Sequence, residues 1–222
     1  MKKLFKVFTL ILLLSIFVSA CANTASKSTA KEENTTSKKV TNKKKLSKKE
    51  QKEILDIFYK METTIAYYDS QIGNIGYMVQ DGIDQQVVES VQNSTQENLT
   101  NKKDKIANNA TEYKNELRAT KADKKDVENV ISEYDQLFTY YNGWIQDLES
   151  LNLSNVSTVS SSLSDGQDDY LAVSNDLSED MMDTLVKTGM SKSDASLQFK
   201  KIIKKSVKNY GDPVDAENMK YY

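Results

Sequence analysis

The chain has 222 residues, with 30 Lys+Arg against 32 Asp+Glu, a formal net charge of −2, no histidine and one cysteine. Without histidine there are no Cys/His metal sites, Ser-His-Asp triads or Cys-His dyads, and no catalytic residue, metal or cofactor is expected. One proline and seven glycines leave little turn chemistry for an alternating sheet fold. Arg118 is the only arginine, so bidentate phosphate readers are scarce and no nucleic-acid partner is expected.

The N-terminus carries Lys2, Lys3 and Lys6, followed by an apolar stretch from Val7 to Val18 interrupted by Thr9 and Ser15. About a dozen apolar residues are too few for a helix to cross ~30 Å of hydrocarbon, which takes ~20, so the stretch reads as a secretory signal. Val18-Ser19-Ala20-Cys21 then resembles the lipobox of bacterial lipoproteins, a branched and two small residues before the cysteine. That resemblance implies acylation of Cys21 and cleavage before it, with residues 1–20 removed and the chain anchored on the extracytoplasmic face of the cell membrane. An ordinary signal peptide with a stray cysteine is the alternative. The order of charged, apolar and small residues before a unique cysteine favours the lipoprotein. The heavy preference for lysine over arginine points to a low-GC Gram-positive source.

Residues 22–49 hold nine lysines against Glu32 and Glu33, with almost nothing to bury, and predict a disordered tether from Cys21 to residue 46. Residues 50–222 are the reverse, with 18 basic and 30 acidic side chains. Lys43, Lys44 and Lys45 are candidates for electrostatic contact with an anionic leaflet, at ~1 kcal/mol per lysine. The plainer alternative is that they keep a linker soluble.

From residue 47 to the end the pattern predicts an all-α, elongated antiparallel bundle of about four long helices and a short C-terminal amphipathic one. Ser47-Lys48-Lys49-Glu50 fits a capping box. Ile54, Phe58, Met61, Ile65, Tyr68, Ile72, Ile75, Val79 and Ile83 then hold one face through Gly73 and Gly76, toward a stop at Asp81-Gly82. A second helix over 84–118 has a poor face in which Leu99 stands alone, with a break expected near Asn93 or Asn101. A third over 123–151 is the clearest, with Val127, Val130, Ile131, Tyr134, Leu137, Phe138, Tyr141, Ile145 and Leu148 on one side. Ser-rich 154–162 either begins a fourth helix or is a loop. Leu163, Tyr170, Val173, Leu177, Met181 and Leu185 continue to a Gly189 cap, and a fifth helix starts at Ser191 with Asp194 and ends around Tyr210 to Pro213.

Three surfaces of this bundle are candidates for binding. Asp165, Asp168, Asp169, Asp176, Glu179, Asp180 and Asp183 share one side of the fourth helix. With no calcium-loop motif and no facing carboxylate pair, they read as a solvated face rather than a calcium or glycosidase site. The fifth helix sets Ala195, Phe199, Ile202 and Ile203 opposite five lysines, and reads as docked on the bundle rather than on a membrane. On the third helix Tyr140 and Trp144 lie about 80–120° from the core direction. They form either packing against a neighbour or a half-exposed, partner-binding ridge.

The expectation is a lipid-anchored surface protein that binds a wall polymer or a protein partner and performs no catalysis. In broad layout it is similar to the helical cell-wall-binding lipoproteins of bacilli. A surface immunity, exclusion or adhesion factor is the alternative. A solute receptor or enzyme fits least, since no strand runs alternate with the helices.

Overall fold

The computed structural model describes residues 45–79 and 83–209. Cys21, Lys43, Lys44, the Asp81-Gly82 stop and Tyr210 to Pro213 lie outside them. Among the described residues the chain is all-α, with helices α1 (Lys48–Met78), α2 (Gln85–Asn98), α3 (Lys103–Ala119), α4 (Lys124–Glu149), α5 (Val156–Asp165), α6 (Gln167–Lys187) and α7 (Lys192–Asn209). A 3-10 turn at Thr100–Lys102 joins α2 to α3. The helices align as five rods: α1, α2 with α3, α4, α5 with α6, and α7.

α1 begins as its sequence dictates. Ser47 N–H donates to Glu50 Oε2 at 2.7 Å, and Glu50 N–H donates to Ser47 Oγ at 3.3 Å, closing the capping box. Sixteen of its 31 residues are buried, far more than one stripe requires, because α1 is the centre of the bundle. It packs most extensively on α7, and also on α2, α3, α4 and α6.

Cross-links between rods fix their directions. Lys60 of α1 pairs with Glu116 of α3, Arg118 of α3 with Glu128 of α4, and Lys187 of α6 with Asp126 of α4, so successive rods run antiparallel. α7, the fifth rod of this alternation, runs the same way as α1 and packs beside it. Leu46 N–H and Gln51 Nε2 both donate to Thr188 O, just before α7 starts, and the Lys205 ammonium lies 4.9 Å from the Tyr59 ring. α1 and α7 therefore run parallel, side by side.

Two of the expected helices are interrupted. The second breaks at Leu99, whose backbone bends (φ −115°, ψ −62°) while its side chain is fully buried. The segment has no other apolar anchor between Val91 and Ile106, so the rod turns to insert this one. The carbonyl of Asn98, at the end of α2, accepts a hydrogen bond from Tyr67 Oη. The fourth helix includes the serine-rich stretch and is divided at Gly166, where Trp144 packs against the junction.

α6 ends in a Schellman motif, with Gly189 N–H donating to Val186 O at 2.9 Å and Met190 N–H to Leu185 O at 3.4 Å. Gly189 has φ +99°, and a Cβ there would meet Lys45 Cγ at 2.6 Å. This glycine lets the start of the described chain lie across the α6–α7 turn. Gly189→Ala is expected to cost ~1–2 kcal/mol from the left-handed backbone alone. Urea unfolding should show a lower midpoint with an unchanged slope; an unchanged midpoint would mean that the turn relaxes freely.

Candidate functional site

Of the sequence-predicted site residues, Cys21, Lys43 and Lys44 lie outside the described region, and Lys45 is exposed where the chain enters the bundle. Tyr140 and Trp144 do not form a half-exposed ridge. Trp144 is only 6 % exposed, its indole 5.2 Å from the Tyr170 ring and packed under Gly166. Tyr140 is half-buried, 6.0 Å from Tyr170 and from Trp144. The angular position off the main stripe was right, but the α5–α6 junction covers that shoulder. Leu151, on the same shoulder, is fully buried.

The acidic side chains of α6 face solvent, with Asp180 half-buried. Among the described residues no group of three or more His, Cys, Asp or Glu is placed to hold a metal ion. No helix among them is long and apolar enough to cross a membrane. α7 buries Ala195, Phe199, Ile202 and Ile203 in the bundle and leaves Lys200, Lys201, Lys204 and Lys208 exposed.

Two constellations remain as sites. One is a groove of about 690 Å³ at the end where the tether enters, lined by Lys45, Leu46, Glu50, Lys121, Asp123 and Lys187, among others. Its charges are paired: Lys121 Nζ lies 2.6 Å from Glu50 Oε1, and Lys187 Nζ lies 2.6 Å from Asp126 Oδ1. The hydrogen bond from Lys121, with those from Ser47, holds the Glu50 carboxyl down to about 2. The groove is an open feature of a capped helix end, where the Ser47 hydroxyl donates to Glu50 Oε2 at 2.8 Å.

The other constellation is inside. Asp69 Oδ1 accepts hydrogen bonds from Tyr141 at 2.9 Å and Tyr170 at 2.5 Å, and the two hydroxyls lie 2.9 Å apart. Burial pushes Asp69 up to about 7 even though both tyrosine bonds favour its charged form. One heptad earlier on α1, Glu62 is 7 % exposed and pushed up to about 8, mainly by burial and then by the nearby Asp69 charge. Rings close the cluster, with Tyr68 stacked on Tyr141 at 4.6 Å and Tyr141 meeting Trp144 edge-on at 6.2 Å. The hydroxyls of Tyr113 and Tyr134 are buried with no hydrogen-bond partner. Outside this cluster, Glu133 is raised to about 7 by burial and by Asp180 and Asp176.

Sequence reasoning missed Glu62 and Asp69. Seven residues apart, they fall within ~20° of each other on α1, at the edge of the apolar stripe. A two-acid edge beside a stripe ordinarily faces water, and only the enclosure of α1 from several sides buries it. Aromatic rings pack around these acids, with Glu62 buried and Asp69 half-buried. In comparisons with known proteins, no family model, no curated protein and no solved structure matches the chain.

Two outcomes are expected. Glu62, Asp69 and Glu133 keep their protons in the folded state to pH 7–8 but lose them near pH 4–4.5 when unfolded. Their stabilising contribution is therefore complete at low pH and is lost as the pH rises through 7–8. Glu50, whose pKa is lowered, acts only below about pH 4.5 and in the opposite direction. Melting temperature should thus fall from pH 5 to pH 8, and Glu62→Gln should flatten that fall; a rise over the same range would contradict the burial of these acids. Trp144 emission should be blue-shifted and resistant to acrylamide in the free protein, whereas a red-shifted, quenchable signal would put the indole back at the surface.

Proposed function

We propose that this chain is a lipid-anchored, extracytoplasmic helical protein that acts by binding a cell-envelope component or a protein partner and performs no chemistry of its own. The observation that carries the reading is where the described chain starts. Leu46 is hydrogen-bonded to Thr188, and Lys45 lies across Gly189, so the segment leading back to Cys21 joins the bundle at one end, not along a side. An acyl group on Cys21 would hold that end toward the membrane and leave five aligned rods projecting from it. Two of the titratable groups with displaced pKa values support a binding role, since Glu62 is buried and half-buried Asp69 is held by the hydroxyls of Tyr141 and Tyr170. The surface available to a partner is then the acidic side of α4 and α6.

The anchor is tested directly. Cys21→Ser should leave the protein without fatty-acid label and shift it from the membrane fraction to the medium or to an unprocessed precursor. Label retained in that variant would refute acylation at Cys21.

A further inference from the structure

We propose that the tether end of the folded bundle, and not the tether alone, is a docking face for an anionic lipid surface. This deepens the anchored reading above and names the surface on which that end rests. The chain termini of the rods bring Lys45, Lys48, Lys49, Lys121, Lys124, Lys125, Lys187 and Lys192 to this end, and all eight are exposed. Several carboxylates beside them are engaged, while Glu53 and Asp183 stand exposed near Lys121 and Lys187. Glu50 binds Lys121, Asp126 binds Lys187, Asp123 caps the Lys125 N–H, and Asp194 accepts from Ser191. Lys48, Lys49, Lys124, Lys125 and Lys192 make no ion pair among the described residues.

Along α4 and α6 the balance is reversed. Residues 61–101 and 126–186 contain no lysine or arginine, while 126–186 carry thirteen acidic residues. The basic residues of α4 and α6 are Lys124, Lys125 and Lys187, all in their end turns. Laid on the side of these two helices, the bundle would press Asp165, Asp168, Asp169, Asp176 and Asp183 against negative headgroups. Standing on its tether end, it presents lysines.

The placement also runs against local helix stability. Lys48 and Lys49, Lys124 and Lys125, and Lys192 occupy the first turns of α1, α4 and α7, where the positive end of the helix dipole disfavours cations. The N-termini of three helices thus add to the positive potential of the same face. Each of these first turns also holds an acid, Glu50, Asp126 and Asp194, so the dipole preference is met there and the lysines are carried in addition to it. α7 carries a second basic strip, Lys200, Lys201, Lys204 and Lys208, but that is the ordinary outward face of an amphipathic helix docked on an acidic body. The 23 residues between Cys21 and Lys45 span at most about 80 Å of extended chain, enough for this end to reach the surface.

The test is lysine footprinting of the full chain with an acetylating reagent, read by mass spectrometry. Vesicles of equal phosphatidylglycerol and phosphatidylcholine are compared with phosphatidylcholine alone, at low and high salt. The expected result is several-fold slower labelling of Lys121, Lys124 and Lys125 on the anionic vesicles, reversed by salt, with Lys204 and Lys208 unchanged. Protection confined to Lys45 and the residues before it would overturn the proposal, as would protection centred on Lys200 to Lys208. The mass of the Cys21 peptide separates the two readings: protected Lys124 and Lys125 in a chain whose Cys21 is unmodified support this face while refuting the anchor. The variant K124Q/K125Q/K192Q should lose about fivefold in vesicle affinity per lysine, the equivalent of ~1 kcal/mol each. It should also melt no lower than the parent, because it removes cations from helix N-termini. Undiminished binding by a folded triple variant would overturn the proposal.

Discussion

The enclosure of α1 governs the rest of the structure. A helix with one partner buries a stripe, but a helix packed on α2, α3, α4, α6 and α7 buries most of its circumference, polar residues included. Thr63 and Thr64 meet this by donating back to the carbonyls of Tyr59 and Lys60. Tyr67 reaches the carbonyl of Asn98, at the end of α2. Asp69 draws the hydroxyls of Tyr141 and Tyr170 to a single oxygen, and so ties α1 to α4 and α6. Tyrosine suits this role, since its ring supplies buried apolar area and its hydroxyl satisfies polar atoms that a phenylalanine would leave stranded. Specificity of packing follows: a rod that slid by a turn would break several of these bonds at once.

The same enclosure explains why Glu62 and Asp69 have displaced pKa values. Both are moved mainly by loss of water, which stabilises the protonated carboxyl. Displaced pKa values mark functional centres in many proteins, but structural networks displace them as well. Here the neighbours of the displaced groups are tyrosines, tryptophan and helix backbone, and the geometry is that of a core.

Outside the core, charge is sorted along the length of α4 and α6. Lysines gather where α1, α4 and α7 begin and α6 ends, and acids occupy the length of α4 and α6. The antiparallel path of the rods makes this sorting: chain segments far apart in sequence return their basic turns to one face. The point where Lys45 crosses Gly189 belongs to that face, so the attachment of the tether and the basic end coincide. A net charge of −2 for the whole chain conceals both ends of this arrangement.

Local chemistry was legible in the sequence. The capping box at Ser47, the Ser191–Asp194 cap of α7, the Asp123 start of α4, the Gly189 stop and the apolar stripes depend on residues within a few positions of one another, and they fold as their spacing dictates. The bundle class followed from them. What the tertiary structure decided were matters of which rod covers which. The sequence placed Trp144 on the shoulder of α4, but only the arrival of the α5–α6 junction at Gly166 buries it. Leu99 stood alone in a polar stretch, and the pull of the core on that single side chain divides the rod. Glu62 and Asp69 bordered an ordinary stripe, and enclosure by neighbouring rods turned that border into interior. Periodicity reports which way a side chain points from its own helix axis; whether water or another helix waits there depends on contacts dozens of residues away, which no local spacing encodes.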